Sequence, residues 1–198
     1  MALSASVLGG LIDSNLESEG ATGYNKTKFS DAVGAGIVES IIGKAFVTND
    51  VGLTVGIGVG IGTGIVGLSD SDMISIALSQ MATQGKNAFK LMKAIMDAVI
   101  TELGNATLTT ADAPVFLGVG TVNTGTIAVI ESEMAFNIDT QLANVGAKGK
   151  NRTNLSKAIA AGVCRQIISN GTGTVTITGS PTIPIPVPGT GVGAGTIS

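Results

Sequence analysis

The sequence predicts an α+β fold of three diverged tandem modules, each a helix pair followed by a β-hairpin or by extended Gly/Pro-rich strands. Three observations carry this. One amphipathic segment recurs twice without gaps, a second apolar-periodic stretch precedes each copy, and strictly alternating sequence follows. The modules are placed at residues 1–68, 69–131 and 132–198, the last with an extended Pro/Gly-rich C-terminal segment.

The recurring segment is Phe29, Ala32, Val33, Gly36, Ile37 and Ile41. A shift of 62 residues turns it into Leu91, Ala94, Ile95, Ala98, Val99 and Leu103, and a shift of 126 into Leu155, Ala158, Ile159, Gly162, Val163 and Ile167. The spacing i, i+3, i+4, i+7, i+8, i+12 marks one face of a helix. Small residues at positions 36, 98 and 162 allow another backbone to come close. Just upstream, Gly23-Tyr24-Asn25, Gly85-Lys86-Asn87 and Gly149-Lys150-Asn151 share a register, and Gly then Asn before a helical run reads as the turn between two helices. The earlier helix of each pair is read at 7–16, 73–81 and 134–142.

The β reading rests on alternation. Residues 54–65 alternate Gly with Val, Ile or Thr, and residues 182–192 put Pro where the first module has Gly. The second module offers 115–120 and 126–130. Alternate Pro cannot donate ladder hydrogen bonds, so 182–188 is expected on an edge or unpaired. Alternate Gly leaves one strand face bare, which invites another sheet or another subunit.

Composition narrows function. The 198 residues include 29 Gly, five Phe and one Tyr, with no His and no Trp; 13% are charged and the formal charge is −3. Mean hydropathy is +0.47. Without His, the commonest general acid/base and metal ligand is missing. The charge gives no basic footprint for nucleic acid, and no aromatics interleave with the lysines for base stacking. An apolar, weakly charged chain has too little polar surface to cover itself, which points to burial against partners. The lone Cys164 cannot close an intrachain disulfide, fits a reducing compartment, and is read as an inert buried thiol. The N-terminal residues lack the basic region of a signal peptide.

Each motif with a chemical reading has a plainer one. Gly62-x-Gly64-x-x-Gly67 matches a dinucleotide fingerprint, but a helix pair follows where a Rossmann unit needs a strand, and the sister modules lack it. The Gly run at 189–195 has no Lys for a phosphate loop. Asp70, Asp72, Glu131 and Glu133 precede helices, where negative charge is favourable and Ser71 or Ser132 can cap. Lys86, Lys90, Lys93, Lys148, Lys150, Arg152 and Lys157 read as a solvated face. Asn25, Asn105, Asn151 and Asn170 head Asn-x-Thr sequons and are read as turn and cap residues. Residues 51–68 form an uncharged run of 18, but seven Gly and the alternation argue against a membrane helix. The expectation is no catalytic residue, no cofactor and no metal site: not an enzyme.

The Met1-Ala2-Leu3-Ser4 opening, the Phe29-x-x-Ala32-Val33 helix type and the Pro188-Gly189-Thr190-Gly191-Val192-Gly193-Ala194-Gly195 end together resemble small virion structural proteins of tailed bacteriophages. That resemblance implies a multicopy part of the tail, baseplate or neck that assembles as a homo-oligomer with other virion proteins. It implies assembly in the host cytoplasm, with neither nucleic acid nor membrane as partner. The alternatives are a capsid-surface decoration protein and a membrane-active, holin-like or pore-forming protein.

Overall fold

In the computed structural model the chain is described over residues 3–22, 24–51, 58–63, 65, 68–81, 87–112, 121–179 and 190–197. The order of elements is α1 (Ala5–Ser18), α2 (Tyr24–Ile41), β1 (Ala45–Val51), β2 (Gly58–Thr63), α3 (Asp70–Gln80), α4 (Ala88–Gly104), β3 (Thr107–Asp112), β4 (Thr121–Ala128), α5 (Glu131–Asn144), α6 (Lys150–Asn170), β5 (Thr172–Gly179) and β6 (Thr190–Ile197). More of the chain lies in helix than in strand.

The helices pack in chain order into a ring, each against the next, and α6 closes on α1. Their apolar stripes share one core. On α2, α4 and α6 the equivalent residues Val33, Ile95 and Ile159 are fully buried, as are Ile37, Val99 and Val163 one turn on. On α1, α3 and α5 the inward stripe has spacing four: Leu8, Ile12 and Leu16; Met73 and Ala77; Met134, Ile138 and Leu142. Glycines set helix approach, Gly36 and Gly34 among them. A Cβ on Gly36 would stand 2.7 Å from the Met73 carbonyl oxygen, and one on Gly34 would stand 2.7 Å from the Ala5 carbonyl oxygen and the Gly9 nitrogen.

The strands also close in chain order, as an antiparallel barrel β1-β2-β3-β4-β5-β6. Round the barrel, Asp50 pairs with Gly60, Gly60 with Thr110, Thr110 with Gly125, Gly125 with Gly173 and Gly173 with Ile197. Ile197 then receives a hydrogen bond from Gly43 N–H (2.9 Å) and donates one to the Lys44 carbonyl (3.0 Å). The circuit therefore leaves β1 at Asp50 and returns near Lys44, a stagger that tilts the strands by roughly 35–45° to the axis. Leu108 and Ile127 pair with each other and, like Ile197, are buried, whereas Thr107, Thr109 and Ala128 are exposed. This fixes the inner face. The alternating glycines Gly58, Gly60 and Gly62 of β2 and Gly191, Gly193 and Gly195 of β6 occupy ladder positions on it.

The expected α+β fold of three helix-pair-plus-hairpin modules is overturned. The helices dominate, and they form one ring with one core rather than three pairs. The strands form one barrel in which β2 pairs with β3, β4 with β5 and β6 with β1, across the expected module boundaries. The reason is that an isolated two-stranded hairpin is marginal in water; closing six strands satisfies every edge. The bare glycine face likewise does not wait for another subunit. An eight-stranded barrel has just enough room for its inward side chains, so a six-stranded one needs positions that carry none. The segments 52–57, 115–120 and 180–189, including the alternating prolines, lie outside the described residues.

Candidate interaction surface

Connectivity gives the molecule two ends. α2, α4 and α6 each run into a strand, so their C-termini lie at the barrel. α1, α3 and α5 run antiparallel to them and start there. Of the large apolar side chains that stand exposed, Val7, Ile42, Ile130 and Ile168 lie near the helix ends that meet the barrel, the shoulder of the molecule; Phe136 stands farther along α5, and Phe89 and Val145 lie toward the opposite end. Phe136 is the most open, at 70% exposure. Ile42 and Ile168 are equivalent under the 126-residue shift.

The shoulder is also acidic. Asp70 and Asp72 open α3, Glu131 and Glu133 open α5, and Glu39 lies in the last turn of α2. Ser69 caps α3 by accepting the Asp72 N–H at 3.3 Å. The cap is thus Ser69 and not Ser71, and α5 starts from Ile130 with no side-chain cap, so Ser132 does not cap it. The Lys93 ammonium bonds Asp70 at 3.2 Å and Asp97 at 3.0 Å, and its hydrogen bond holds the Asp70 carboxyl below the usual range. A recess of about 360 Å³ opens between the end of α2 and the start of α3, lined by Glu39, Ser40, Asp72, Ser75 and Ile76 with Ile42 and Lys44. Ser40 is buried, and its hydroxyl has no hydrogen-bond partner among the described residues.

Polar groups inside the ring follow the internal shifts. Ser40, Glu102 and Gln166 are equivalent, and all three are buried. Glu102 Oε1 accepts from Asn137 Nδ2 on α5. Burial pushes the Glu102 carboxyl above its ordinary value, Asn137 opposes this, and the Glu133 charge adds to it. Ser30 and Ser156 are equivalent and buried, each donating to the carbonyl four residues back, Lys26 at 3.0 Å and Arg152 at 2.9 Å. Lys26 pairs with Asp13 at 3.0 Å, and Arg152 with Asp139 through Nε and a terminal nitrogen at 2.9 and 2.7 Å. Both ion pairs tie a helix to its hairpin partner. In the second helix pair Ala88 stands at the Lys26 position, and Leu78, which follows the buried Ala77 as Asp13 follows Ile12, stands at the Asp13 position.

A groove of about 830 Å³ runs over α6 between α1 and α5, with Glu131, Phe136, Lys157 and Ala161 on its walls. The corresponding place over α4 is bridged by Lys93 between Asp70 and Asp97; here Ala161 stands where Asp97 would be. A second opening, about 380 Å³, lies at the end of the ring away from the barrel and is lined by Phe29, Leu91 and Leu155, the first residues of the three repeated stripes.

None of these places gathers a catalytic constellation. Cys164 is buried, its Sγ 4.0 Å from Met134 Sδ. Burial pushes its thiol up to about 12, helped by Glu131 and Glu102, so it is no nucleophile at neutral pH. Gly62 sits in an antiparallel strand between Thr48 and Leu108, a setting without the parallel strand–turn–helix of a dinucleotide site; Gly64 and Gly67 lie outside the described residues. Among the described residues no three His, Cys, Asp or Glu side chains cluster to hold a metal ion, and no helix is long and apolar enough to cross a membrane. Of the basic residues read as a solvated face, Lys90, Lys148, Lys150 and Lys157 are exposed, Lys93 and Arg152 are engaged in ion pairs, and Lys86 lies outside the described residues. Sequence reasoning missed the equivalence of Ser40, Glu102 and Gln166, although the shifts of 62 and 126 connect them.

No protein-family model, no curated protein and no solved structure matches the chain.

Proposed function

We propose that the chain is a bacteriophage virion structural protein, a multicopy component of the tail, baseplate or neck region that works by packing against neighbours. The observation that carries this reading is the pairing of internal pseudo-threefold order with an apolar, acidic shoulder. Rings of helices and strands that both close in chain order give one chain three related sectors. Such a chain suits a threefold or sixfold particle axis, as a ring or an adaptor. Exposed Ile130, Phe136 and Ile168 supply apolar area for interfaces, at about 25 cal/mol per Å² removed from water. All six described strands have both neighbours, so copies would meet through helix ends and side chains rather than by adding strands.

Mass spectrometry of purified virions, with copy number, tests the reading. The chain should appear at a stoichiometry that is a simple fraction of the particle's symmetry. Its absence from particles, with a monomer persisting at high concentration, would sink the proposal.

A further inference from the structure

We infer that the groove over α6 is a twofold interface with a second copy of this chain, in which Phe136 of each copy seats on Ala161 of the other. This rests on the premise of the assembly reading that copies pack together, and adds to it the surface and the symmetry.

Three observations support it. First, the groove holds both halves of one contact. Phe136 stands on the α5 wall with 70% of its surface exposed. The α6 side presents the small side chains of Ala158 and the half-buried Ala161. An isologous interface needs a patch that complements itself, and a seated aromatic ring is a common anchor. Second, the charges fall into register under the same axis, which runs at right angles to the groove. Lys157 lies four residues from Ala161 on the side away from the barrel, about 6 Å at 1.5 Å per residue. The axis reverses that direction. With Phe136 over Ala161, Lys157 of each copy therefore meets α5 of the other about 6 Å from Phe136 toward the barrel, between Glu131 and Glu133. Lys157, Glu131 and Glu133 are all exposed, and among the described residues none of them makes an ion pair within the chain. Opposite charge across an interface fixes its register. Third, the other two sectors lack these parts. Aligning the buried Met134 with Met73 and Leu8 puts Ser75 and Gly10 at the Phe136 position. At the Ala161 position stand Asp97, held by Lys93, and the buried Ala35. One such groove per chain closes as a pair and does not propagate.

The test uses the purified chain. Sedimentation equilibrium should show its mass rising with concentration from 19.6 kDa toward twice that value. Phe136→Ala trims a ring that is mostly exposed, so it should keep its melting midpoint while its dissociation constant rises about tenfold or more. Lys157→Glu and the double variant Glu131→Lys/Glu133→Lys, each first shown by circular dichroism to be folded, should stay monomeric where the parent pairs, because like charges then meet across the axis. An equimolar mixture of the two should pair again, because both contacts between unlike copies are attractive. A monomer at every concentration, a mass that Phe136→Ala leaves unchanged, or a mixture that stays monomeric overturns the twofold pair. Flotation of an unpaired chain with phosphatidylglycerol vesicles, lost in Phe136→Ala, overturns it by giving the groove to lipid. Carbodiimide coupling of Glu131 or Glu133 in particles only to lysines of a different protein overturns it by giving the groove to that protein. The presence of the chain in virions is a separate measurement, so the pair can fail while the assembly reading stands.

Discussion

Glu102 is the residue whose environment most opposes its charge. It is buried, it accepts a hydrogen bond from the neutral Asn137, and the Glu133 charge adds to the effect of burial. Its folded carboxyl lies above the ordinary value of 4.5, so the native state holds that proton more tightly than the unfolded chain does. Its contribution to stability is therefore full below pH 4.5 and is lost as pH rises through the folded value. The equivalent positions hold neutral Ser40 and Gln166. Glu102→Gln should flatten that fall and raise stability at pH 7 by about 1–2 kcal/mol, read from urea unfolding at several pH values; an unchanged profile would refute the buried-acid account. Asp139 has the opposite sign. The Arg152 hydrogen bond holds its carboxyl low, so its contribution is present above the ordinary 3.8 and disappears as pH drops through the folded value. Because Leu78 and Ala88 occupy the same positions in the second helix pair, Asp139→Leu/Arg152→Ala should melt close to the parent. Arg152→Ala alone should melt lower, since it leaves a half-buried carboxylate without its cation. The 126-residue shift makes the Asp13–Lys26 and Asp139–Arg152 positions legible as equivalents in the sequence. The burial of Glu102 is not, because a Glu on a helix looks the same there whether it faces solvent or Asn137.

At the scale of elements, helices were readable and strand partners were not. The stripes at 29–41, 91–103 and 155–167 lie inside α2, α4 and α6, because a helix declares itself through contacts within a few residues. β1, β3 and β5 were not recognised at all. Thr172-Gly173-Thr174-Val175-Thr176-Ile177-Thr178 alternates with period two and was available as a signal; Ala45–Val51 has none as clear. Which strand pairs with which depends on residues far apart in the chain, as Val51 with Thr190 shows. The glycines of the helices can be separated by their surroundings. Gly10 has nothing within 4 Å of an added Cβ, whereas Gly34 would press on the backbone of α1. Gly10→Ala should stabilise by up to ~1 kcal/mol through helix propensity. Gly34→Ala gains the same propensity but must push α1 away, with a net loss of about 1–3 kcal/mol. Thermal melts of the two variants moving in the same direction would contradict the close α1–α2 crossing.

For the whole molecule, closure replaces modularity. The repeat suggests units that fold separately, yet the core runs unbroken from Leu8 through Ile95 to Ile159, and the barrel joins the last strand to the first. In solenoid repeats each unit touches only its neighbours and partial unfolding from an end is available. Here the first and last helices touch each other, so opening either end breaks two helix seams and two strand ladders. Unfolding should therefore be a single transition with no populated state lacking one sector. Cys164 offers the check, because its thiol is buried in the third sector and there is no other cysteine to confuse the signal. Thiol labelling of Cys164 across a denaturant series should have the same midpoint as loss of helical circular dichroism. If the thiol reacts at lower denaturant than the helices melt, the third sector opens alone, and the ring is three loosely joined units after all.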